Sequence, residues 1–387
     1  MFAATAFAQQ QSIDPRYNLS RQRETPAQQA DRLATNNQHE LVMAQMLRKA
    51  QASNAAQPEA ISISCPDPVF FSEGGSASIQ AVCDITGDGK ADFKTIFYQN
   101  PTGIRFSALA SFGGYLFSAT ADGSIYPFTD KLQRGIADPI YTPYDGMAYT
   151  ERLIPVGVKA MYTQDPNRGR LFRYTLDGGA AISSNILPKL APAAFGTVFV
   201  NNSFYFINPF EDAAQTISFD KVNANGIDAQ TLYQGGRVTA IALDPNSPFL
   251  FILLSGTCNS QSTGPNGTPD QSDQPCIPTQ ILMIPLGQNP FSQGKPFKTI
   301  TVGGPLQTLY SFQTSMLARN GKLYVTSFVN LGPDAGYTQQ ILLYRYTGVN
   351  TPEFQAPTVF ADQELLGQYP FITSLTSFSG GPVLQLQ

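Results

Sequence analysis

From Ile61 to the C-terminus, short apolar or alternating runs are separated by turn-forming residues. One unit recurs, in which two runs rich in aromatic and β-branched residues flank a tight turn of Gly, Asn, Asp or Pro. The clearest turns lie at residues 112–114, 165–169, 201–203, 244–246, 319–321 and 380–381. Asn-Gly and Gly-Gly pairs favour hairpins because such turns need positive φ angles. The pattern predicts an all-β fold.

About six of these units recur with a period of roughly 45–65 residues, which is typical of four-stranded propeller blades. The last unit has only two strands, 372–376 and 383–386, which we expect to form a hairpin. A ring closes without an unpaired edge if residues 61–83 or 93–98 supply the missing strands. We therefore predict that residues 61–387 form a β-propeller of about six blades. A pair of β-sandwiches is the alternative.

Residues 9–60 differ in composition and are rich in Gln, Asn, Ala and Arg. Thr25 and Pro26 suit the N-cap and first position of a helix, and helix formers continue to about Ala56. This N-terminal helical arm has a thin apolar stripe that includes Leu33, Leu41, Met43 and Leu47. The stripe either lies on its own domain or binds another protein or a second copy through these four residues.

The first eight residues are apolar and small, and they end in Ala-Phe-Ala before a glutamine run. This pattern is typical of the end of a secretory signal with its cleavage site. No later segment has eighteen uninterrupted apolar residues, so no transmembrane helix is predicted. We expect a protein that is secreted, periplasmic or displayed on the cell surface.

The four cysteines form two close pairs, Cys65 with Cys83 and Cys258 with Cys276, without the Cys-x-x-Cys spacing of zinc or redox sites. Two local disulfides are predicted, each stabilising by about 2–4 kcal/mol and each requiring an oxidising compartment. Four buried free thiols are the alternative. The polar loop at 259–275 is either a displayed contact surface or a tolerated insertion between strands.

Charge and residue counts exclude several functions. A net charge of −4, a pI near 5.1 and the lack of any Lys/Arg run argue against nucleic-acid binding. The single histidine, His39, lies in the predicted arm, which argues against a Ser-His-Asp triad or a His-ligated zinc site. The absence of Trp removes the strongest platform for stacking on sugars.

Residues 84–92 carry the clearest candidate chemistry. Carboxylates recur at every fourth position, and two glycines supply the backbone freedom of a tight loop. Calcium binds six to eight oxygens at about 2.3–2.6 Å. The predicted ligands are the side chains of Asp84, Thr86, Asp88 and Asp92 and the carbonyl of Lys90. A solvated Asp/Gly turn without metal is the alternative.

The loop differs from an EF-hand, because Thr95 occupies the position of the bidentate Glu and residues 93–98 are typical of a strand. A loop followed by a strand, ending in Gly-Asp-Gly-Lys-Ala-Asp-Phe, resembles the calcium loop of FG-GAP repeats in integrin-type β-propellers. Thr86 stands where that family usually has Asn, and it keeps an oxygen ligand. Residues 321–327, Gly-Lys-Leu-Tyr-Val-Thr-Ser, are similar to the YVTN repeat of bacterial propellers. Both resemblances imply a propeller, and the first implies calcium.

These observations favour a non-catalytic, exported propeller that binds or scaffolds macromolecules, with calcium as a structural clamp. The alternative is a calcium-dependent, lactonase-like hydrolase with its site in the central channel. Channel carboxylates cannot be selected from the sequence, because Asp122, Asp165, Asp177 and Asp244 all occupy turns where Asp is expected anyway.

Overall fold

The computed structural model describes residues 62–378 and 383–385, apart from positions 66, 75, 113, 121–123, 130–137, 140–143, 146–151, 157–159, 166–169, 178–179, 190–194, 209–210, 212, 219–228, 235–237, 245, 248, 255–279, 287–297, 302–314, 331–336, 348–352, 368–369 and 371.

Within these residues the chain forms β-strands and one short helix. The first nine strands are β1 (Ser62–Ser64), β2 (Val69–Glu73), β3 (Ser78–Cys83), β4 (Phe93–Gln99), β5 (Phe106–Phe112), β6 (Tyr115–Thr120), β7 (Ser124–Thr129), β8 (Asp138–Pro139) and β9 (Tyr144–Asp145). The next eight are β10 (Arg152–Val156), β11 (Ala160–Asp165), β12 (Arg170–Asp177), β13 (Ala180–Lys189), β14 (Phe195–Val200), β15 (Ser203–Asn208), β16 (Ala213–Ser218) and β17 (Gln230–Gln234). The remaining elements are β18 (Val238–Leu243), β19 (Phe249–Leu254), β20 (Gln280–Pro285), β21 (Lys298–Thr301), β22 (Met316–Arg319), β23 (Lys322–Asn330), β24 (Tyr337–Thr347), β25 (Glu353–Phe354), β26 (Thr358–Ala361), α1 (Gln363–Leu366), β27 (Ile372–Ser377) and β28 (Val383–Gln385).

Consecutive strands form five antiparallel sheets, blades one to five. They contain β5–β9, β10–β13, β14–β17, β18–β21 and β22–β26. A further sheet, the closing sheet, has the order β27-β2-β3-β4 and joins a strand near the C-terminus to three near the start of the described chain. The innermost strands contact one another in a closed circuit, β27 to β5, β10, β14, β18, β22 and back to β27.

The β-propeller prediction is therefore confirmed. The predicted count of about six blades differs from the structure, in which five blades are each built from consecutive strands. The closing sheet, with strands from both ends of the described chain, completes the ring. It takes its missing strands from residues 69–83 and 93–99, as ring closure required. The predicted hairpin between 372–376 and 383–386 is wrong, since β27 pairs with β2 and β28 pairs with β1. Pairing between the two ends of the described chain satisfies strand edges that a local hairpin would leave open.

The core lies between adjacent sheets. Strand β19 is an example of this arrangement, because its six residues are all apolar and all buried. Phe251 and Leu253 pack with side chains of blade five, whereas Leu250 and Ile252 pack with side chains of blade three. Side chains alternate across a strand, so each blade fills the interfaces with both of its neighbours.

Several predictions fall outside the described residues. They are the signal remnant at 1–8 and the helical arm at 9–60 with Leu33, Leu41, Met43 and Leu47. Among the described elements, no helix has the length and apolarity needed to cross a lipid bilayer.

The second predicted disulfide also falls outside the described residues. Cys258 lies in the segment 255–279, and so does Cys276, together with the polar loop between them. In the part of the chain that the structure describes, the disulfide present is Cys65–Cys83. The pairing of Cys258 with Cys276 therefore stays a prediction.

Candidate functional site

Residues 84–92, the acidic loop, connect β3 to β4 in the closing sheet. The Cys65–Cys83 disulfide fixes the start of the loop, with the two Cα atoms 5.9 Å apart, so this predicted disulfide is confirmed. At the other end, the Asp92 amide donates to the Cys83 carbonyl at 2.6 Å. The ends of the loop are therefore held together by the sheet and by a covalent bond.

Asp84 organises the first half of the acidic loop. Its carboxylate accepts hydrogen bonds from the Gly87 amide at 2.6 Å and the Gly89 amide at 2.9 Å. Both glycines have positive φ angles, 77° and 94°, which residues with a Cβ rarely adopt. The two glycines are thus required by the turn that brings these amides to the carboxylate.

Asp92 and Asp88 organise the second half. The Asp92 carboxylate accepts from the Ile85 amide at 2.6 Å and the Thr86 amide at 3.1 Å, and the Asp88 carboxylate accepts from the Lys90 amide at 2.8 Å. Each of the three predicted carboxylate ligands therefore binds main-chain amides of its own loop. The loop conformation therefore depends on these carboxylate acceptors.

The acidic loop packs against blade five. The Ala91 amide donates to the Phe360 carbonyl at 2.7 Å, and the Thr358 hydroxyl donates to the Gly89 carbonyl at 3.4 Å. Both partners belong to β26. The loop consequently bridges strands from the two ends of the described chain.

Arg345 of β24 reaches the same loop from blade five. Its guanidinium donates to the Gly87 carbonyl at 3.4 Å. It also covers Gly89, where an added Cβ would lie 2.7 Å from the guanidinium nitrogen. Any side chain at position 89 would therefore displace Arg345 as well as strain the backbone.

The chemistry of the loop suits a hard cation, since it offers three carboxylates and a threonine hydroxyl. Each carboxylate oxygen has more than one lone pair, so accepting an amide hydrogen bond leaves capacity for a metal. Among the described residues, however, no three His, Cys, Asp or Glu side chains converge as a metal-binding group. The donor set fits calcium, and binding would require the carboxylates to move closer together.

A groove of about 290 Å³ lies between the end of the acidic loop and blade five. Its lining is Lys90, Ala91, Asp92, Val359, Phe360, Ala361, Asp362, Glu364 and Leu365. Asp362 caps α1 by accepting from the Glu364 and Leu365 amides at 3.0 and 3.3 Å. The groove is thus acidic, with an exposed apolar side chain, Val359, in its wall.

The exposed large apolar side chains of the described chain lie on the acidic loop, on β4 and on β26, three elements that together are called the junction. Ile85 in the acidic loop is 38% exposed, Ile96 in β4 is 53% exposed and Val359 in β26 is 40% exposed. Nearby, the Lys94 ammonium donates to the Leu366 carbonyl at 2.7 Å. Burial lowers the pKa of Lys94, and the Glu73 carboxylate opposes that shift.

Sequence reasoning located the acidic loop but missed its partners. Arg345, Thr358 and Phe360 are about 260 to 270 positions away from the residues they contact. No local pattern marks them. The only available signal was the expectation that the two ends of the chain meet in a closed ring.

No protein-family model and no curated protein sequence matches this chain. Solved structures do resemble it. A chain in the crystal structure of a nidogen/laminin complex is 14% identical, with a TM-score of 0.52 and coverage of 81% of this chain and 99% of that chain. A protein of unknown function from Bacteroides caccae is 11% identical, with a TM-score of 0.48 and the same coverage. At such low identity the first likeness shows the propeller fold and nothing more.

Proposed function

We propose that this chain is an exported, non-catalytic β-propeller that acts as a binding or scaffold subunit of an extracellular or cell-envelope assembly. The observation that supports it most directly is the placement of Ile85, Ile96 and Val359. Large apolar side chains are exposed on three elements of one junction, beside a carboxylate-lined groove. Exposed apolar side chains beside polar groups, as Val359 is beside the groove, are typical of surfaces that a protein partner covers.

Two further observations are compatible with this role. The Cys65–Cys83 disulfide suits an oxidising compartment, such as the periplasm or the cell exterior. One structure with a similar fold is that of a nidogen/laminin complex, and a propeller in a protein complex is the kind of use proposed for this chain.

Calcium is part of the proposal as a structural clamp on the acidic loop. The ligands would be Asp84, Thr86, Asp88, Asp92 and the Lys90 carbonyl, and the two positive charges of the ion would offset most of the charge of the three carboxylates. Binding to the folded state alone adds stability by linkage. A thermal melt with and without a calcium chelator tests this clamp, and an unchanged midpoint would contradict it.

The N-terminal arm is proposed as a second contact, through Leu33, Leu41, Met43 and Leu47. Deleting residues 9–58 and measuring the mass of the assembly in solution tests this contact. A smaller number of chains per assembly in the deletion variant supports self-assembly through the arm. An unchanged number of chains would exclude it.

The junction surface is tested by cross-linking. The full chain carries a photo-reactive residue in place of Glu364, an exposed residue that lines the groove, and is incubated with the extracellular fraction of its source cells. We expect a cross-linked product of defined mass that disappears in the double variant Ile85→Asp/Val359→Asp. The double variant Gln230→Asp/Gln234→Asp, which places the same two charges on exposed positions of β17, is the matched control and should keep the product. Equal yields from both variants would refute this binding surface.

A further inference from the structure

The groove between the acidic loop and blade five carries more negative than positive charge. Its lining includes the carboxylates of Asp92, Asp362 and Glu364 and one ammonium group, that of Lys90. Asp362 and Glu364 are exposed, and neither forms an ion pair with another described residue. Val359, 40% exposed, adds an apolar side chain to the same lining. A ligand that fits this groove therefore combines positive charge with apolar side chains.

One stretch of this chain outside the described residues has that composition. Residues 16–23, the basic segment, have the sequence Arg-Tyr-Asn-Leu-Ser-Arg-Gln-Arg, with three arginines, one aromatic and one aliphatic side chain and no acidic residue. The rest of residues 1–61 has three basic and five acidic residues, so positive charge is concentrated in the basic segment. Arginine pairs well with carboxylates because its planar guanidinium can donate two parallel hydrogen bonds.

The chain enters the described structure beside its own groove. Strand β1 begins at Ser62, and three residues later Cys65 is bonded to Cys83, with the two Cα atoms 5.9 Å apart. The Cys83 carbonyl accepts from the amide of Asp92, a lining residue of the groove, at 2.6 Å. The point at which residues 1–61 join the propeller and the groove are therefore neighbours.

The arm predicted from the sequence carries the basic segment away from this groove. A helix over residues 26–56 is about 46 Å long, at 1.5 Å per residue. The linker at 57–61 spans at most about 20 Å when it is fully extended. Because the linker is less than half as long as the helix, it cannot bring the far end of the helix back to β1. The basic segment, which precedes the helix, is therefore placed for the groove of a second copy.

We propose that the basic segment of one copy binds the acidic groove of a second copy of this chain. Its arginines pair with Asp362 and Glu364, and Tyr17 or Leu19 packs on Val359. This inference rests on the N-terminal arm proposed above as a contact for self-assembly, and it names the surface that the arm reaches. Reciprocal exchange of two arms closes a dimer, because each copy offers both a segment and a groove.

The test is photo-cross-linking between two populations of the full chain. In the first population a photo-reactive residue replaces Gln22, and Glu364→Lys reverses a charge in the groove. The second population has an intact groove, no photo-reactive residue and an affinity tag. The two are incubated together and irradiated, and the covalent dimer that retains the tag is quantified and mapped by mass spectrometry after proteolysis.

Two matched pairs of variants separate the proposed contact from unspecific charge effects. In the first population, the basic segment loses its three charges, and the control loses three charges from the rest of the arm, where glutamine keeps the helix propensity. These variants are Arg16→Gln/Arg21→Gln/Arg23→Gln and Arg32→Gln/Arg48→Gln/Lys49→Gln. In the second population, Glu364→Lys is compared with Gln230→Lys, which places a lysine on an exposed position of β17.

We expect a tagged dimer in which position 22 is linked to residues 359–365. Its yield should fall about tenfold when the arginines of the basic segment are replaced, because three exposed ion pairs together change affinity by about that factor. Glu364→Lys in the second population should also lower the yield, since it replaces attraction by repulsion. Both controls should keep the yield. In 1 M salt the yield should fall, because exposed charges are then screened beyond about 3 Å.

Several outcomes would overturn the inference. They are links confined to single chains, links that map outside the groove, and equal yields from either variant and its control. Failure of the proposed arm contact is distinguishable, because deletion of residues 9–58 would then leave the number of chains per assembly unchanged. If that deletion dissociates the assembly while the arginine variant links as well as its control, the arm binds through another surface and docking in the groove is wrong.

Discussion

Replacing Tyr346 by Phe is expected to destabilise the ring by removing one hydrogen bond between blades four and five. Asp244 follows β18 of blade four and is 1% exposed. Its carboxylate accepts from the Tyr346 hydroxyl of β24, from the Gly321 amide at 3.2 Å and from the Asn246 amide at 2.9 Å. Burial and the Asp244 carboxylate both raise the pKa of Tyr346, so the hydroxyl stays protonated and donates.

The magnitude follows from the nature of the lost bond. Hydrogen bonds to charged groups contribute about 1.5–3 kcal/mol, and the buried carboxylate would keep only its two amide donors. The ring of residue 346 packs on Phe251 and Phe354, with centroids 5.1 and 5.5 Å away, and phenylalanine would keep these contacts. We therefore expect Tyr346→Phe to lower the free energy of unfolding by about 1.5–3 kcal/mol.

Tyr344 provides the matched control on the same strand. Its side chain is 1% exposed, and its hydroxyl has no hydrogen-bond partner among the described residues. Removing an unsatisfied buried hydroxyl should be neutral or stabilising, because its desolvation has no compensating bond. The assay is urea denaturation followed by far-UV circular dichroism, since the protein has no Trp to report by fluorescence. Equal losses for Tyr344→Phe and Tyr346→Phe, or a loss below about 0.5 kcal/mol for Tyr346→Phe, would refute the assigned role of Asp244.

Three further outcomes are expected. Replacing Cys65 and Cys83 together by Ser should cost about 3 kcal/mol in urea unfolding, because the bond closes a segment with a sequence separation of 18; a cost below about 1 kcal/mol would contradict this estimate. Burial raises the pKa of Tyr98 and Tyr324 above the unfolded value of about 10. Their neutral hydroxyls therefore contribute fully to the free energy of unfolding below about pH 10, and this contribution is lost as the pH rises further. Absorbance at 295 nm should show these tyrosines ionising only as the chain unfolds, and ionisation of the folded protein near pH 10 would contradict the burial. Asp67→Asn should cost less than about 1 kcal/mol and nothing in 1 M salt, since the ion pairs with Arg319 and Lys322 are partly exposed; a cost that persists in salt would show that the ion pairs are not its source.

Local features of the fold could be predicted from the sequence because their causes are local. The turn at Asn320 and Gly321 has positive φ angles at both residues, 50° and 74°, as an Asn-Gly hairpin requires. The Cys65–Cys83 bond follows from the short spacing of the two cysteines. The repeating pattern of strands and turns indicated a propeller, but the count of about six blades derived from its period differs from the five blades formed by consecutive strands.

Contacts between distant segments could not be predicted in this way. Asp244 looked like an ordinary turn residue, and nothing near it in sequence indicated that it accepts from Tyr346 in the next blade. Strand β28 was assigned to a hairpin because β27 was its nearest neighbour in sequence, whereas pairing at ring closure is decided by both ends of the chain. In a continuous apolar run such as β19, the sequence also does not indicate which side chains face which neighbouring blade.

The position of the acidic loop gives it a role that its sequence did not suggest. Strands β2–β4 and strands β22–β27 come from opposite ends of the described chain, and their association closes the ring. Pairing of β2 with β27 supplies the main contact, and the ion pair of Asp67 with Lys322 and the binding of the loop to β26 add to it. Bringing such distant segments together has a large entropic cost, which only contacts between them can offset. On the proposed assignment, a cation bound by the loop would therefore stabilise ring closure as well as one turn, because the bound loop is one of the contacts that hold the two ends together.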